Sequence, residues 1–288
     1  MVNSKKFKKL IAFISAVCMT SVCMLSVSAD TVADNTQSIV QQDETTTIEN
    51  ELLDLGFSQE EVNLIIENVS TEEIQSVLNL KEGNINSRAT STTHSYHLQD
   101  SNGKNINTYT NVSQFNTDNT CGSLACAITL KYHKDYKGVS IPKCTNANFY
   151  NFYRSIVPYV DTSARWSTLS TIESGLAEFL SDNNIKGVGK PTAYFYEPNN
   201  RATSLKKMVL LTKTFLNVNE PVIASGKYPT STGRVKHTVV IQGMTTYYDS
   251  DGNLTSAKVE VNNGWGSIET VDYFSFAGVS GYGIVYIL

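Results

Sequence analysis

An α+β fold is what this sequence predicts, with an N-terminal helical half packed on a C-terminal antiparallel β-sheet. Three observations carry that expectation. Apolar residues recur at helical spacing between residues 120 and 217, the chain turns β-branched and aromatic after Glu220, and helices precede strands rather than alternating with them. From residue 120 to 132, Leu124, Ile128 and Tyr132 fall four apart on one helix face. Residues 146–157, 168–183 and 203–217 read as further helices. Strands are expected at 221–225, 237–244, 257–262, 271–276 and 282–287, with the Asp249-Ser-Asp-Gly-Asn253 turn between two of them. No internal repeat is visible.

The first residues read as a secretory signal peptide. Lys5, Lys6, Lys8 and Lys9 precede an apolar run from Leu10 to Val27, and Val27-Ser28-Ala29 supplies a small-residue cleavage site. Residues 1–29 are therefore expected to be removed and the protein to be secreted, that is, extracellular. No later stretch approaches the ~20 apolar residues that cross a bilayer.

Charge divides what remains. Residues 30–88 hold 13 acidic and 2 basic side chains, residues 89–288 hold 14 and 17. Such asymmetry suggests two segments with complementary fields. The acidic one begins with a Thr/Gln/Asp-rich stretch to Asn50 of the composition that stays disordered. Two short helices follow, one from Ser58 to Asn68 with Ser58 and Glu61 spaced as a capping box, the other from Thr71 to Leu80. A polar linker, Asn84 to Ser95, contains Arg88 as a processing point. Residues 30–88 thus read as a pro-segment, or alternatively as a helical adaptor that stays attached, and 89–288 as the main domain.

Five cysteines fall to three once the signal peptide is gone: Cys121, Cys126 and Cys144. An odd number in a secreted chain leaves at least one free thiol. Cys121 stands where a polar, turn-forming stretch gives way to the helix of residues 120–132. The helix's positive end and its orphan N–H groups favour a thiolate there, and Gly122 leaves room for a substrate backbone. Cys126 lies among apolar helix residues and reads as core. Of the four histidines, His94 and His97 lie in the polar lead-in. His133 is about 18 Å along the helix from Cys121 at ~1.5 Å per residue. His237 instead opens a core strand after a Gly/Ser/Thr-rich loop, where it can face a helix N-terminus as a base. A third group must hold its tautomer. The strand ending Val261-Asn-Asn-Gly-Trp-Gly266 returns beside it, offering Asn262 or Asn263, with Trp265 as a shield against water. Alternation sends the two asparagines to opposite faces.

Taken together, Cys121-Gly122-Ser123 opening a helix that ends Leu130-Lys-Tyr-His133, Pro221-Val-Ile-Ala followed by His237-Thr-Val-Val-Ile-Gln-Gly243, and Val261-Asn-Asn-Gly-Trp-Gly266 resemble the papain superfamily. The likeness is to its bacterial branches, the streptopain-like and double-glycine leader peptidase-like enzymes, over residues 114–288. It implies a papain-like fold and a Cys121–His237–Asn263 triad with Asn263 orienting the base. It also implies Gln114, seven residues upstream of Cys121, as the oxyanion donor beside the Cys121 N–H. The expected function is hydrolysis of peptide bonds by a secreted thiol peptidase, made as a zymogen whose acidic N-terminal segment covers a mildly basic cleft. The same dyad would serve a peptidoglycan amidase or acyltransferase, and the scaffold without catalysis would serve as a binding module. No Cys/His pair has closed-site zinc spacing, no phosphate loop is present, and no basic stripe marks a nucleic-acid binder. No metal or cofactor is expected, and the partner expected is a peptide or protein substrate.

Overall fold

A computed structural model describes residues 45–80, 92–113, 119–161, 167–278 and 282–288. The expected signal peptide, Arg88 and Gln114 lie outside these. The class is α+β, with an antiparallel sheet. Thr45–Leu288 forms one compact unit.

Its centre is a sheet of seven strands: β1 (Thr92–His97), β2 (Pro191–Phe195), β3 (Val222–Thr230), β4 (Gly233–Tyr248), β5 (Leu254–Asn262), β6 (Ile268–Asp272) and β7 (Gly283–Ile287). The order is β2-β7-β3-β4-β5-β6, and every pairing is antiparallel. The sixteen-residue β4 is the spine. One of its edges meets β3 along the first half and β1 along the second, while β5 runs along the other edge.

Strand alternation sorts the core into two layers. Ile223, Val240 and Val285 join one apolar cluster with helices α4 (Cys121–Tyr136), α5 (Phe149–Val160) and α6 (Leu169–Asp182). Their neighbours Val222, Ala224, Val239, Ile241, Ile284 and Tyr286 join the other. That second layer is built on α7 (Arg201–Asn217) together with a helix over residues 45–54 (α1), α2 (Gln59–Asn68), α3 (Thr71–Leu78) and the short α8 (Tyr273–Phe276).

The charge step at residue 88 does not mark a boundary in packing. Leu52, Val62, Ile65, Ile74 and Val77 of α1–α3 are buried in one cluster with Met208, Leu211 and Phe215 of α7. At roughly 1.5–3 kcal/mol per buried side chain, these five alone represent on the order of 10 kcal/mol of gross burial. The opposite charges meet inside this unit. Lys213 Nζ, fully buried on α7, lies 3.5 Å from Glu73 Oε1 and donates to Tyr248 Oη at 2.8 Å. Lys207 Nζ donates to the Gly56 carbonyl at 2.9 Å. The Ser58–Glu61 capping box is present at the start of α2.

Several expectations need correction. Residues 45–50, read as disordered, are helical because Ile48 and Leu52 reach the α7 layer. Thr92–Ser95, read as linker, belong to β1. The free second half of the β4 edge pairs with their backbone in antiparallel register. Strand β2 has no counterpart in the sequence reading. The strand expected at 271–276 ends at Asp272, whose side chain accepts the Ser275 N–H at 2.6 Å and caps α8. No helix among the described residues is long and apolar enough to cross a membrane.

Candidate active site

Cys121 is the first residue of α4 and is buried. Asn119 takes the left-handed conformation (φ 59°) as the chain turns into the helix. Thr120 is the N-cap, yet its hydroxyl is engaged by Tyr153 Oη and caps nothing. Asp161, just beyond α5, takes over that role: its Oδ2 accepts the Ser123 N–H at 3.0 Å and the Ser123 hydroxyl. Gly122 also faces inward. A Cβ placed on it would lie 2.7 Å from Ser167 Cβ and 3.3 Å from Ile172 Cγ1, so only glycine admits this close packing of α4.

Helix α4 packs on β4, and Cys121 meets the strand at Thr238. Burial pushes the thiol above its ordinary value, and the Asp161 carboxylate adds to the rise. Polar groups of Thr238 and the Gly122 backbone oppose it. Thr238 Oγ1 in turn lies 2.7 Å from Ser225 Oγ across the ladder.

The preceding residue, His237, is likewise buried. Its ring lies flat against Trp265, with centroids 4.0 Å apart and planes 7° apart, and edge-on to Tyr228 at 5.4 Å. Nε2 lies 2.6 Å from the Asn263 carbonyl oxygen. A carbonyl only accepts, so Nε2 carries the proton and Nδ1 presents a lone pair. Burial pushes the imidazole down to about 4, against opposing pulls from the Asn263 carbonyl and the Glu269 carboxylate. No direct hydrogen bond joins the Cys121 thiol to the imidazole among the described residues. Thr238, which Cys121 meets, faces the α4 layer with Val240, whereas His237 faces the α7 layer with Val239 and Tyr228.

Asn263 serves His237 through its main chain. Its side-chain Oδ1 accepts the Trp265 N–H at 2.9 Å and the Ser267 N–H at 3.3 Å, and Nδ2 donates to Ser267 Oγ at 2.6 Å and Glu269 Oε1 at 2.8 Å. Two N–H donors on one end and a carboxylate on the other fix the amide's orientation. Asn262 points elsewhere, donating to Thr108 Oγ1 and to the Tyr109 carbonyl. Trp265, 38% exposed, forms the outer wall over the imidazole.

The remaining candidates are engaged in other ways. Cys126 and Cys144 are buried and free, like Cys121. Burial pushes both thiols up, that of Cys144 to about 12. His94, His97 and His133 each face a carboxylate, from Glu73, Glu260 and Glu220 respectively. Sequence reasoning missed Asp161, Tyr228, Thr238 and Glu269. Of these, only Thr238 carried a local signal, as the neighbour of His237. The others arrive through helix packing and strand register. Among the described residues, no cluster of three or more His, Cys, Asp or Glu side chains suits a metal ion.

No protein-family model matches this chain. No curated protein matches it either.

Proposed function

We propose that this chain is a papain-type thiol peptidase, secreted after signal-peptide removal, with Cys121 as nucleophile and His237 as base. The observation that supports this reading most is the imidazole of His237, stacked under Trp265 with its Nε2 held by the Asn263 carbonyl. A helix-start thiol meets Thr238, and a histidine with its Nε2 proton held by a carbonyl leaves Nδ1 as the base. Burial favours the neutral form of both groups over the standing ion pair expected of an exposed dyad. In this reading His237 Nδ1 takes the thiol proton as the sulfur attacks the peptide carbonyl, which requires the imidazole to move from the α7 face of β4 to the Cys121 side. The oxyanion of the tetrahedral intermediate is assigned to the Cys121 N–H and the Gln114 side chain. The imidazolium then protonates the departing amine, leaving a thioester. Water, deprotonated by His237, hydrolyses the thioester, and the proton returns to the thiol. The zymogen reading loses support in one respect: α1–α3 pack on the α7 layer, whereas Cys121 opens a helix of the other layer.

A second reading, a papain-like binding module without catalysis, draws on the same neutral, buried pair. Residues 30–288 alkylated with limiting iodoacetamide between pH 5 and 9 separate the two. Base-assisted Cys121 labels at a rate nearly flat with pH. In His237→Ala the rate rises about tenfold per pH unit, following the thiolate fraction. A wild-type protein with the slope of the variant sinks the peptidase reading in favour of the binding module. Cleavage of a mixed peptide library that disappears in Cys121→Ala then distinguishes a peptidase from a wall amidase or acyltransferase.

A further inference from the structure

We infer that Glu269 is a positioning residue for His237, acting through both its hydrogen bonds and its charge. The inference rests on the proposed role of His237 as base. Three donors converge on the Glu269 carboxylate: Asn263 Nδ2 at 2.8 Å and Ser267 Oγ at 2.8 Å on Oε1, and Tyr228 Oη at 2.6 Å on Oε2. Each of the three belongs to the wall of the imidazole. Tyr228 packs edge-on against the ring. Asn263 supplies the carbonyl that receives the Nε2 proton. Ser267 closes the Asn263–Ser267 turn that carries Trp265, the ring's stacked cover. One carboxylate on β6 therefore ties a side chain of β3 to the turn after β5, and the imidazole is gripped between them.

Tyr228 also packs edge-on against Trp265 at 5.5 Å and Phe276 at 6.0 Å, so its ring is held on three sides. The same carboxylate is the anion behind His237. Among the described residues the titratable side chain in contact with the ring is that of Tyr228, while the Cys121 thiol, beside Thr238, and Asp161 lie on the other face of β4. Helix α8 contributes only the apolar Phe276 on this side. The Tyr228 hydroxyl is held well above its ordinary range by burial and by Glu269, so it stays neutral. Among the described residues, the negative charge acting on the imidazole is that of Glu269, and it favours the imidazolium formed once the thiol proton has moved.

Glu269→Gln tests this, because an amide keeps the size and an acceptor oxygen but loses the charge. The probe is again iodoacetamide on residues 30–288, with the Cys121 rate followed from pH 3 to 8. The rate falls at acid pH as His237 takes up a proton. In Glu269→Gln that midpoint moves down by about half a pH unit and the plateau rate falls about threefold, the size expected of a partly exposed charge. A side chain that merely stabilised the fold would lower the melting temperature and leave the midpoint in place. Tyr228→Phe removes one bond and keeps the charge, and is expected to lower the plateau without moving the midpoint. An unmoved midpoint in Glu269→Gln, with His237→Ala still slow, overturns the role of Glu269 alone. Wild-type labelling in His237→Ala instead removes the base itself, and the inference falls with it.

Discussion

The imidazole of His237 illustrates how burial and hydrogen bonding oppose one another at a single side chain. Its neutral form is favoured by desolvation, with a pKa near 4 against an ordinary 6.5, although a carbonyl and a carboxylate both favour the charged form. The linkage sign follows directly. The folded pKa lies below the unfolded one, so the unfolded chain binds the extra proton between the two values. The contribution of His237 is complete above about pH 6.5 and is lost as the pH falls towards 4. At ~1.4 kcal/mol per pH unit, the depression corresponds to roughly 3 kcal/mol. Denaturant unfolding of wild type and His237→Gln at pH 7 and pH 4 measures it. Wild type is expected to lose roughly 3 kcal/mol more than the variant between the two, and equal losses would refute the depressed pKa. The residue types at this site were legible in the sequence. The use made of them was not. Asn263 was legible as a side-chain acceptor, yet it is the main-chain oxygen that touches His237, because the Asn263–Ser267 turn consumes the amide.

Helix α4 is the element that delivers the thiol, and its start is capped from outside. Thr120 stands at the N-cap with the right chemistry, but its hydroxyl turns to Tyr153, and Asp161 from the end of α5 supplies the acceptor instead. A carboxylate here stabilises the helix start through the macrodipole and simultaneously holds the neighbouring thiol in its protonated form. Asp161→Asn keeps an acceptor for the Ser123 N–H while removing the charge. The variant is expected to label at Cys121 about two- to fivefold faster at pH 8, with the direction set by the lost anion. A slower rate, measured beside an unchanged helical circular-dichroism signal, would show that the charge does not act on the sulfur. Element positions were largely readable. The helical spacings of 120–132, 168–183 and 203–217 fall on α4, α6 and α7 to within a few residues. Strands β1 and β2 were not readable, since both are short pieces whose pairing partners lie far away along the chain, Gly283–Ile287 for β2 and Gly243–Tyr248 for β1.

At the scale of the molecule, the acidic N-terminal helices are part of the core. Six apolar side chains of residues 45–80 are less than 2% exposed, among them Leu52, Val62, Ile65 and Val77. The fully buried Lys213 relies on Glu73 of α3 as its charge partner. Cutting the chain after Arg88 and removing the N-terminal part is expected to destabilise the remainder, because a buried ammonium loses its anion and the α7 layer is exposed. Breaking a buried pair in this way costs about 3–5 kcal/mol before any apolar surface is counted. The measurement is the thermal midpoint of residues 89–288 against residues 30–288, beside Cys121 labelling of both. A fragment as stable as the parent and faster at Cys121 would restore the inhibitory pro-segment.

The sequence by itself determined the α+β class, the helix that presents Cys121, the strand that presents His237 and the turn that carries Trp265. Each of these is written in local periodicity, composition or turn chemistry. Tertiary structure alone decided that the acidic helices join the α7 layer, that Asp161 caps α4, and that Glu269 and Tyr228 enclose the imidazole. Those outcomes depend on which of several apolar faces and polar partners, distant along the chain, bury the most surface together while leaving the fewest polar groups unpaired.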